Sequence, residues 1–335
     1  MAKPYANDLL KVRISRMYFY RGMTRQEIAR RLRISRFRVA RLLDQALEEG
    51  IVRIEIIEPS TIAPELEEQL EERFDLQRAI VVRPSGHSEG EIKRTIGQAA
   101  AQYLVDTLAD GDVLGIAWGT TVNEVVRALP SRLEVAIKVV QITGGMNQTA
   151  ISINAIDLTR RVAEVCDAEA YLLHAPAMVS SAAARRALLE ESGIQTTLAM
   201  FDQVSIALSG IGALSPELLP THSTYYKAGY IKDADLEILK RNKVVGDVFA
   251  HFFDIEGGIC DAGLEQRIMG MSTEQLRRVQ HSVGVAGGPH KSAAILGALR
   301  GKLINVLITD DQTATSILTR DSSAETAPGP GGQAT

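Results

Sequence analysis

The sequence predicts an α/β protein in two parts, a small all-helical head followed by a large body on a mostly parallel sheet. Residues 1–53 break into three short amphipathic helical patterns. From Glu65 onward, seven short apolar runs alternate with helix-length segments. Charge divides the same way: residues 1–53 hold thirteen Lys/Arg against five Asp/Glu, a net +8 within a chain whose overall charge is −4.

In the head, residues 6–20 place Leu9, Val12, Met17 and Tyr20 near one face, and Arg21-Gly22 stops the helix. Thr24-Arg25-Gln26-Glu27 reads as a capping box, with Thr24 capping the helix and Glu27 reaching back to the Thr24 amide. Ile28, Ala29 and Leu32 form the buried side of this second helix. A tight connection at Arg33-Ile34 leads to Ser35, a good N-cap for a third helix. There Val39, Leu42, Leu43, Ala46 and Leu47 recur at i, i+3, i+4, i+7 and i+8, a core stripe closed by Gly50 at C′. Ile51–Ile57 then alternates like a short strand, expected as a wing or a bridge after the helical unit.

Two helices joined by a tight turn are helix-turn-helix anatomy, and such a unit lays its second helix in the DNA major groove. Phe37, Arg38 and Arg41 lie opposite the core stripe, and Arg36 sits at the helix entry. An arginine fork matches guanine O6/N7, and Phe37 suits a thymine methyl. Thr24, Arg25 and Gln26 open the preceding helix, whose free amides suit a phosphate. A solvated basic face has the same composition. The density of arginines, with no acid between Glu27 and Asp44, favours operator DNA as the partner.

In the body, the strand-like runs are Ala79–Val82, Val113–Ala117, Val135–Ile142, Ala170–Leu173, Val204–Leu208, Ser282–Ala286 and Ile304–Ile308. Helix-length segments such as Ile92–Leu108, Asn154–Val165 and Lys291–Leu299 separate several of them. Strands buried on both faces and joined through helices argue for a parallel sheet. The expected divisions are a DNA-binding domain at 1–57, a linker at 58–64, the body at 65–320 and a disordered, Gly/Pro-rich tail at 321–335. No apolar run has the 18–20 residues or so of a membrane span, and the N-terminus lacks a secretory pattern, so a cytoplasmic protein is expected. Cys166 and Cys260 lie outside any metal or redox spacing. No metal site, cofactor or catalytic constellation is expected.

Residues 18–54 resemble the N-terminal signature of the SorC family of sugar-binding transcriptional regulators, a DeoR-like helix-turn-helix head joined to a sugar-binding domain. The resemblance continues, in order, through Gly115–Thr121, Gln141–Gly145, Ser209–Gly212, Val245–Asp247, Ala286–Gly288 with Lys291, and Leu303–Asp310. It spans about residues 8–318. It implies a Rossmann-like effector domain related to sugar-phosphate isomerases and deaminases, assembly as a homo-tetramer, and operator affinity controlled by a sugar, polyol or sugar-phosphate effector.

Local chemistry agrees at several turns. Trp118-Gly119-Thr120-Thr121 follows a strand and opens a helix, where glycine admits a ligand and the hydroxyls and first amides donate to it. Thr143-Gly144-Gly145, with Asn147 just beyond, also ends a strand, the place where open α/β sheets bind ligands. Gly210 and Gly212 belong to the resemblance. Asp202, Asp247 and Asp254 are candidate acceptors for sugar hydroxyls, and Lys291 a candidate donor to an anionic or hydroxyl group. Gly-Gly pairs can also simply make turns, Trp118 can be core, an Asp can be only a cap and a lysine opening a helix can be solvated. Family members that bind phosphorylated sugars can carry a basic residue at the position of Thr143. Its absence weakens the case for a doubly phosphorylated ligand and leaves singly phosphorylated and neutral ones open. An isomerase- or deaminase-like enzyme with an accessory head stays the alternative function, and a body that only assembles subunits a third.

Overall fold

The second and third helices of the head start where their sequences supply a cap. In a computed structural model that describes residues 3–53, 63–146, 153–214, 224–260 and 263–325, helix α1 spans Lys3–Ser15 and runs on into a π-helical turn at Arg16–Tyr20. Helices α2 (Arg25–Leu32) and α3 (Arg36–Glu48) follow. The box closes as expected: the Glu27 amide donates to Thr24 Oγ1 (3.3 Å) and the Thr24 amide to Glu27 Oε2 (2.8 Å). Arg33 ends α2 in the left-handed region at φ 53°, and Ser35 Oγ accepts from the Arg38 amide at 3.2 Å. Ile28, Ala29, Val39, Leu42, Leu43 and Ala46 are buried.

Of the face expected for the first helix, only Met17 is buried. Leu9, Val12 and Tyr20 are exposed, as is Leu47 on α3. Met17 is buried as expected, but its buried partner is Ile14, with Leu10 packed against them. The π-helical turn widens the helix after Ser15, so a 3.6-residue count carried through to Tyr20 loses phase. Residues 51–53 form a bend rather than a strand, and the remainder of the expected wing lies outside the described residues.

The chain divides into two compact units, Met1–Glu58 and Pro59–Thr335. The larger opens with α4 (Pro64–Phe74), β1 (Arg78–Val82), α5 (Glu89–Thr107), β2 (Val113–Ile116), α6 (Thr120–Ala128) and β3 (Lys138–Gln141). Next come α7 (Ala155–Cys166), β4 (Glu169–Tyr171), α8 (Ala182–Leu189), α9 (Ser192–Leu198), β5 (Ile206–Gly210) and β6 (Gly212–Ala213). It continues through α10 (Thr224–Lys227), α11 (Asp233–Arg241), β7 (Gly246–Val248), β8 (His251–Phe253) and α12 (Thr273–Leu276), then β9 (His281–Val285), α13 (Ser292–Arg300), β10 (Val306–Asp310) and α14 (Asp311–Glu325).

Seven strands form one parallel sheet in the order β1-β10-β9-β5-β2-β3-β4. These are the seven apolar runs of the sequence. Residues of α5, α6 and α7 pack in one core beside the sheet, and residues of α4, α13 and α14 in another. The chain steps from β2 to β3 and β4 on one side, then returns to lay β5 on the other side of β2. Strand order therefore reverses between β2 and β5, opening a crevice at their carboxyl ends. A three-stranded antiparallel sheet, β6-β7-β8, leads off from the end of β5. Its strands of two or three residues are too short to show periodicity, which is why sequence reading missed them.

Two boundaries shift. Ala63 is buried, its amide donating to the Val81 carbonyl at 3.1 Å, and Pro64 opens α4, so these residues belong to the body and not to a linker. Helix α14 runs to Glu325, past the expected start of a disordered tail. Buried Asp321 holds that end by accepting from Arg73 and, at 2.7 Å, from Arg300. Among the described residues, no helix is long and apolar enough to cross a membrane.

Candidate functional site

In the head, Arg36, Phe37, Arg38 and Arg41 are all exposed along α3, with Phe37 at 74%. The Arg36 guanidinium lies 5.0 Å from the Phe37 ring centroid, and that of Arg25 5.8 Å from the ring of Tyr18. Thr24, Arg25 and Gln26 from the start of α2, with Arg36 and Phe37 from the start of α3, line one groove. Ser35 stands at its edge as the α3 cap. The Thr24 amide and hydroxyl hold the Glu27 carboxyl below its ordinary range, which keeps the box charged and the α2 entry rigid. The result is a basic edge with two helix N-termini side by side, a surface suited to a phosphate backbone.

In the body, a cavity of about 290 Å³ sits at the crevice between β2 and β5, at the small end of the roughly 300–1,000 Å³ range of ligand pockets. From the β2 turn come Trp118, Gly119, Thr120 and Thr121; from the β5 turn, Gly210 and Gly212. Asp247 enters from β7 and Lys291 from the turn after β9. Gly119 offers no capping side chain to α6, so the first amides of that helix are left for a ligand. Thr143 closes the wall; it is fully buried and its hydroxyl has no partner among the described residues. A buried hydroxyl without a bond is costly unless something else supplies one.

Asp247 packs so closely on Gly212 that a Cβ there would come within 2.1 Å of its Oδ1. Its carboxylate accepts from the Tyr225 hydroxyl and, at 3.3 Å, from the Ala250 amide. Burial pushes the Asp247 carboxyl up from 3.8 to about 6 despite those bonds. Lys291 Nζ donates to the Ile211 carbonyl at 3.1 Å, and burial, helped by neighbouring Lys93, brings the ammonium down from 10.5 to about 8. The raised carboxyl adds stability below pH 3.8 that is lost as pH rises to about 6. The depressed lysine adds stability above pH 10.5 that is lost as pH falls to about 8. At neutral pH the charged, half-buried Lys291 therefore destabilises the ligand-free chain. Lys291→Met is expected to stabilise it at pH 7 by about 1–2 kcal/mol, allowing for solvent screening. That gain should shrink as pH rises from 8 through 10.5. Urea unfolding at three pH values checks it, and a variant no more stable than wild type at pH 7 sinks the argument.

Gly119, Thr120, Thr121, Thr143, Gly210, Gly212, Asp247 and Lys291 are thus brought together around one cavity. Gly144 and Gly145 are not on its wall; their amides are tied to the carbonyls of Met269 and Ala175, both at 2.8 Å. Asp202 is exposed and accepts from Gln275 at 2.9 Å. Asp254 folds the turn after β8, accepting from the amides of Glu256 (3.0 Å) and Gly258 (2.9 Å). Asn147 lies outside the described residues. Sequence reading missed Glu89 and Lys93 of α5, Tyr225 and His290 in the lining. Ser88 three residues before Glu91 marks a helix start, but nothing local says that this start returns to the end of β9.

A basic helix-turn-helix joined to a ligand-sized cavity at the reversal of a parallel sheet defines a DNA-binding transcriptional regulator. Residues 59–319 match the Sugar-bind sugar-binding domain family, and residues 14–49 match sigma-70 region 4. The deoxyribonucleoside regulator of Bacillus subtilis strain 168 is 31% identical over 309 residues, covering 92% of this chain and 97% of its own. The sorbitol operon regulator of Klebsiella pneumoniae is 31% identical over 313 residues, with the same coverage of 92% and 97%. The crystal structure of full-length SorC from that organism superposes with a TM-score of 0.71 at 30% identity, covering 93% of this chain and 99% of that one. The chain belongs to the SorC family of sugar-binding transcriptional regulators, and it is a regulator rather than an isomerase-like enzyme.

Proposed function

We propose that this regulator controls carbohydrate-related genes by coupling operator affinity to a small polyhydroxylated effector, a sugar, polyol or sugar phosphate, held in the β2/β5 cavity. One observation carries the reading: Thr120, Thr121, Asp247 and Lys291, from three distant stretches of chain, converge on a space sized for one small ligand. Asp247 accepts from hydroxyls, while Thr120, Thr121 and Lys291 donate. In the head, Arg36, Phe37, Arg38 and Arg41 read the major groove, and Thr24, Arg25, Gln26 and Ser35 set the register on phosphates. A single head spans a short site, so a homo-oligomer, a tetramer by family likeness, working in the cytoplasm supplies paired half-sites. The effector acts by favouring one arrangement of that assembly over another.

Thermal unfolding of the full chain against a panel of sugars, polyols and their phosphates tests this. A ligand present at about 100 times its Kd adds about 2.7 kcal/mol. One hit, lost in Thr120→Ala and in Asp247→Ala, is the expected result. No shift across the panel overturns the reading and leaves the body as an assembly module.

A further inference from the structure

Helix α14 holds the turn after β9 at one end and α4 at the other. At its start, Asp310 Oδ2 accepts from the Gly288 amide at 2.8 Å, on the turn that carries Lys291 to the cavity wall. From further along the helix, Arg320 Nε reaches back and donates to the buried hydroxyl of Ser292, next after Lys291, at 2.8 Å. Beside it, buried Asp321 accepts from Arg73 of α4 and, at 2.7 Å, from Arg300 of α13. Asp311 and Asp321 are ten residues apart, about 15 Å of helix. Between them Ala314 and Ile317 are fully buried, so the helix moves as one body.

Helix α4 is the first helix of the body after the DNA-binding unit, so a force carried by the chain between them enters here. It lies on the outer edge of β1, where Glu67 and Glu71 accept from the amides of Val81 and Ala79, both at 2.8 Å. Leu70 is its buried anchor.

We propose that α14 carries the effector state of the cavity to α4, and that the Arg73–Asp321 contact is the element that opens and closes. The inference rests on the β2/β5 cavity being the effector site. Strands β9, β10 and β1 lie between the same two places, but parallel pairing along their lengths locks them to one another. Helix α14 is tied at separate polar points, which are made or broken singly. Breaking a buried ion pair ordinarily strands a charge at large cost. Here Asp321 keeps Arg300, and Arg73, at 38% exposure, turns to water. The contact therefore has two states close in free energy, and a small displacement selects between them. A ligand that draws on Lys291 moves the Gly288–Ser292 turn, and α14 with it, relative to Arg73. Coupling of this kind is reciprocal, so operator bound at the head alters the cavity in turn.

Trp118, the one tryptophan of the chain, lines that cavity and reports on it without a label. The full-length protein is titrated with a duplex selected from fragmented genomic DNA, with anisotropy following binding and Trp118 emission following the cavity. In wild type both signals are expected to change together. Arg73 lies outside the apolar core, so folding should survive its replacement. Arg73→Met should bind the duplex with the Trp118 change lost, and Arg73→Lys should restore it. A contact that only stabilises the fold would lower the unfolding midpoint of Arg73→Met and leave its Trp118 response intact, which overturns the proposal. So does a wild-type emission that stays constant while the duplex binds. The sugar panel supplies the converse measurement. A ligand that alters wild-type operator affinity by about fivefold or more, the usual range of such coupling, should alter that of Arg73→Met by less than about twofold. If no panel ligand stabilises wild type, the effector reading falls, and the Trp118 response to DNA still decides whether α14 is the route.

Discussion

Replacing Arg36 and Arg38 together by Ala is expected to weaken operator binding by about a hundredfold or more, while leaving the effector-induced shift in unfolding midpoint unchanged. Both side chains are exposed beside Phe37 at the leading end of α3. Neither packs in the head core, which is made by Ile28, Val39, Leu42 and Leu43. Folding should therefore survive. Each bidentate arginine–guanine pair discriminates by about 1–3 kcal/mol. An arginine on phosphate contributes instead to the salt dependence, roughly one unit of slope for each phosphate no longer neutralised. Anisotropy titrations at several salt concentrations, on duplex selected from fragmented genomic DNA, separate the two roles. Loss of sequence preference at constant slope marks base recognition, and a flatter slope with preference intact marks phosphate binding. Affinity unchanged in the double variant would show that α3 does not lead into the groove.

The second large effect is expected at Asp310, which touches no ligand position. It is buried at the end of β10, where Oδ2 accepts from the Gly288 amide at 2.8 Å and the Thr313 hydroxyl at 2.6 Å. Oδ1 accepts from the Thr313 amide at 3.0 Å, capping α14. Asp310→Ala leaves these donors in an apolar interior, at a cost of about 3 kcal/mol or more. It also frees the Gly287-Gly288 turn on which Lys291 stands, so the response to ligand should be lost with the stability. Asp310→Asn keeps the shape but turns an amide toward donors, and should fall between. Urea unfolding with an unchanged m value and a lower midpoint is the expected signature. A loss below about 1 kcal/mol for Asp310→Ala would mean the turn does not depend on this carboxylate.

What the sequence by itself determined is the chemistry that acts over a few residues. Thr24 with Glu27, Ser35 with the Arg38 amide, and the stripe of Val39, Leu42, Leu43 and Ala46 all lie within one or two helical turns, so spacing alone specifies them. The seven strands of the large sheet were legible because both faces are covered, which forces near-continuous apolar runs. Thr120, Thr121 and Lys291 could be named because strand ends and helix starts are where such sheets gather ligand groups, and Asp247 because Val245–Asp247 belongs to the family resemblance.

The tertiary structure decided which of the named residues meet. Asp202, Asp247 and Asp254 were equal candidates as hydroxyl acceptors by residue type, yet Asp202 pairs with Gln275, Asp254 folds its own turn, and of the three Asp247 reaches the cavity. Glu89 and Lys93 gave no local sign, because their place follows from α5 closing on Gly287 across almost two hundred residues of chain. Leu9, Val12 and Tyr20 had the periodicity of a core face but are exposed, since Leu10 and Ile14 pack beside Met17 on another side of the helix and the π-helical turn shifts Tyr20 out of phase. Local hydrogen bonds and periodicity have a range of a few residues, whereas a binding cavity is made by close approach between segments that no short window of sequence contains.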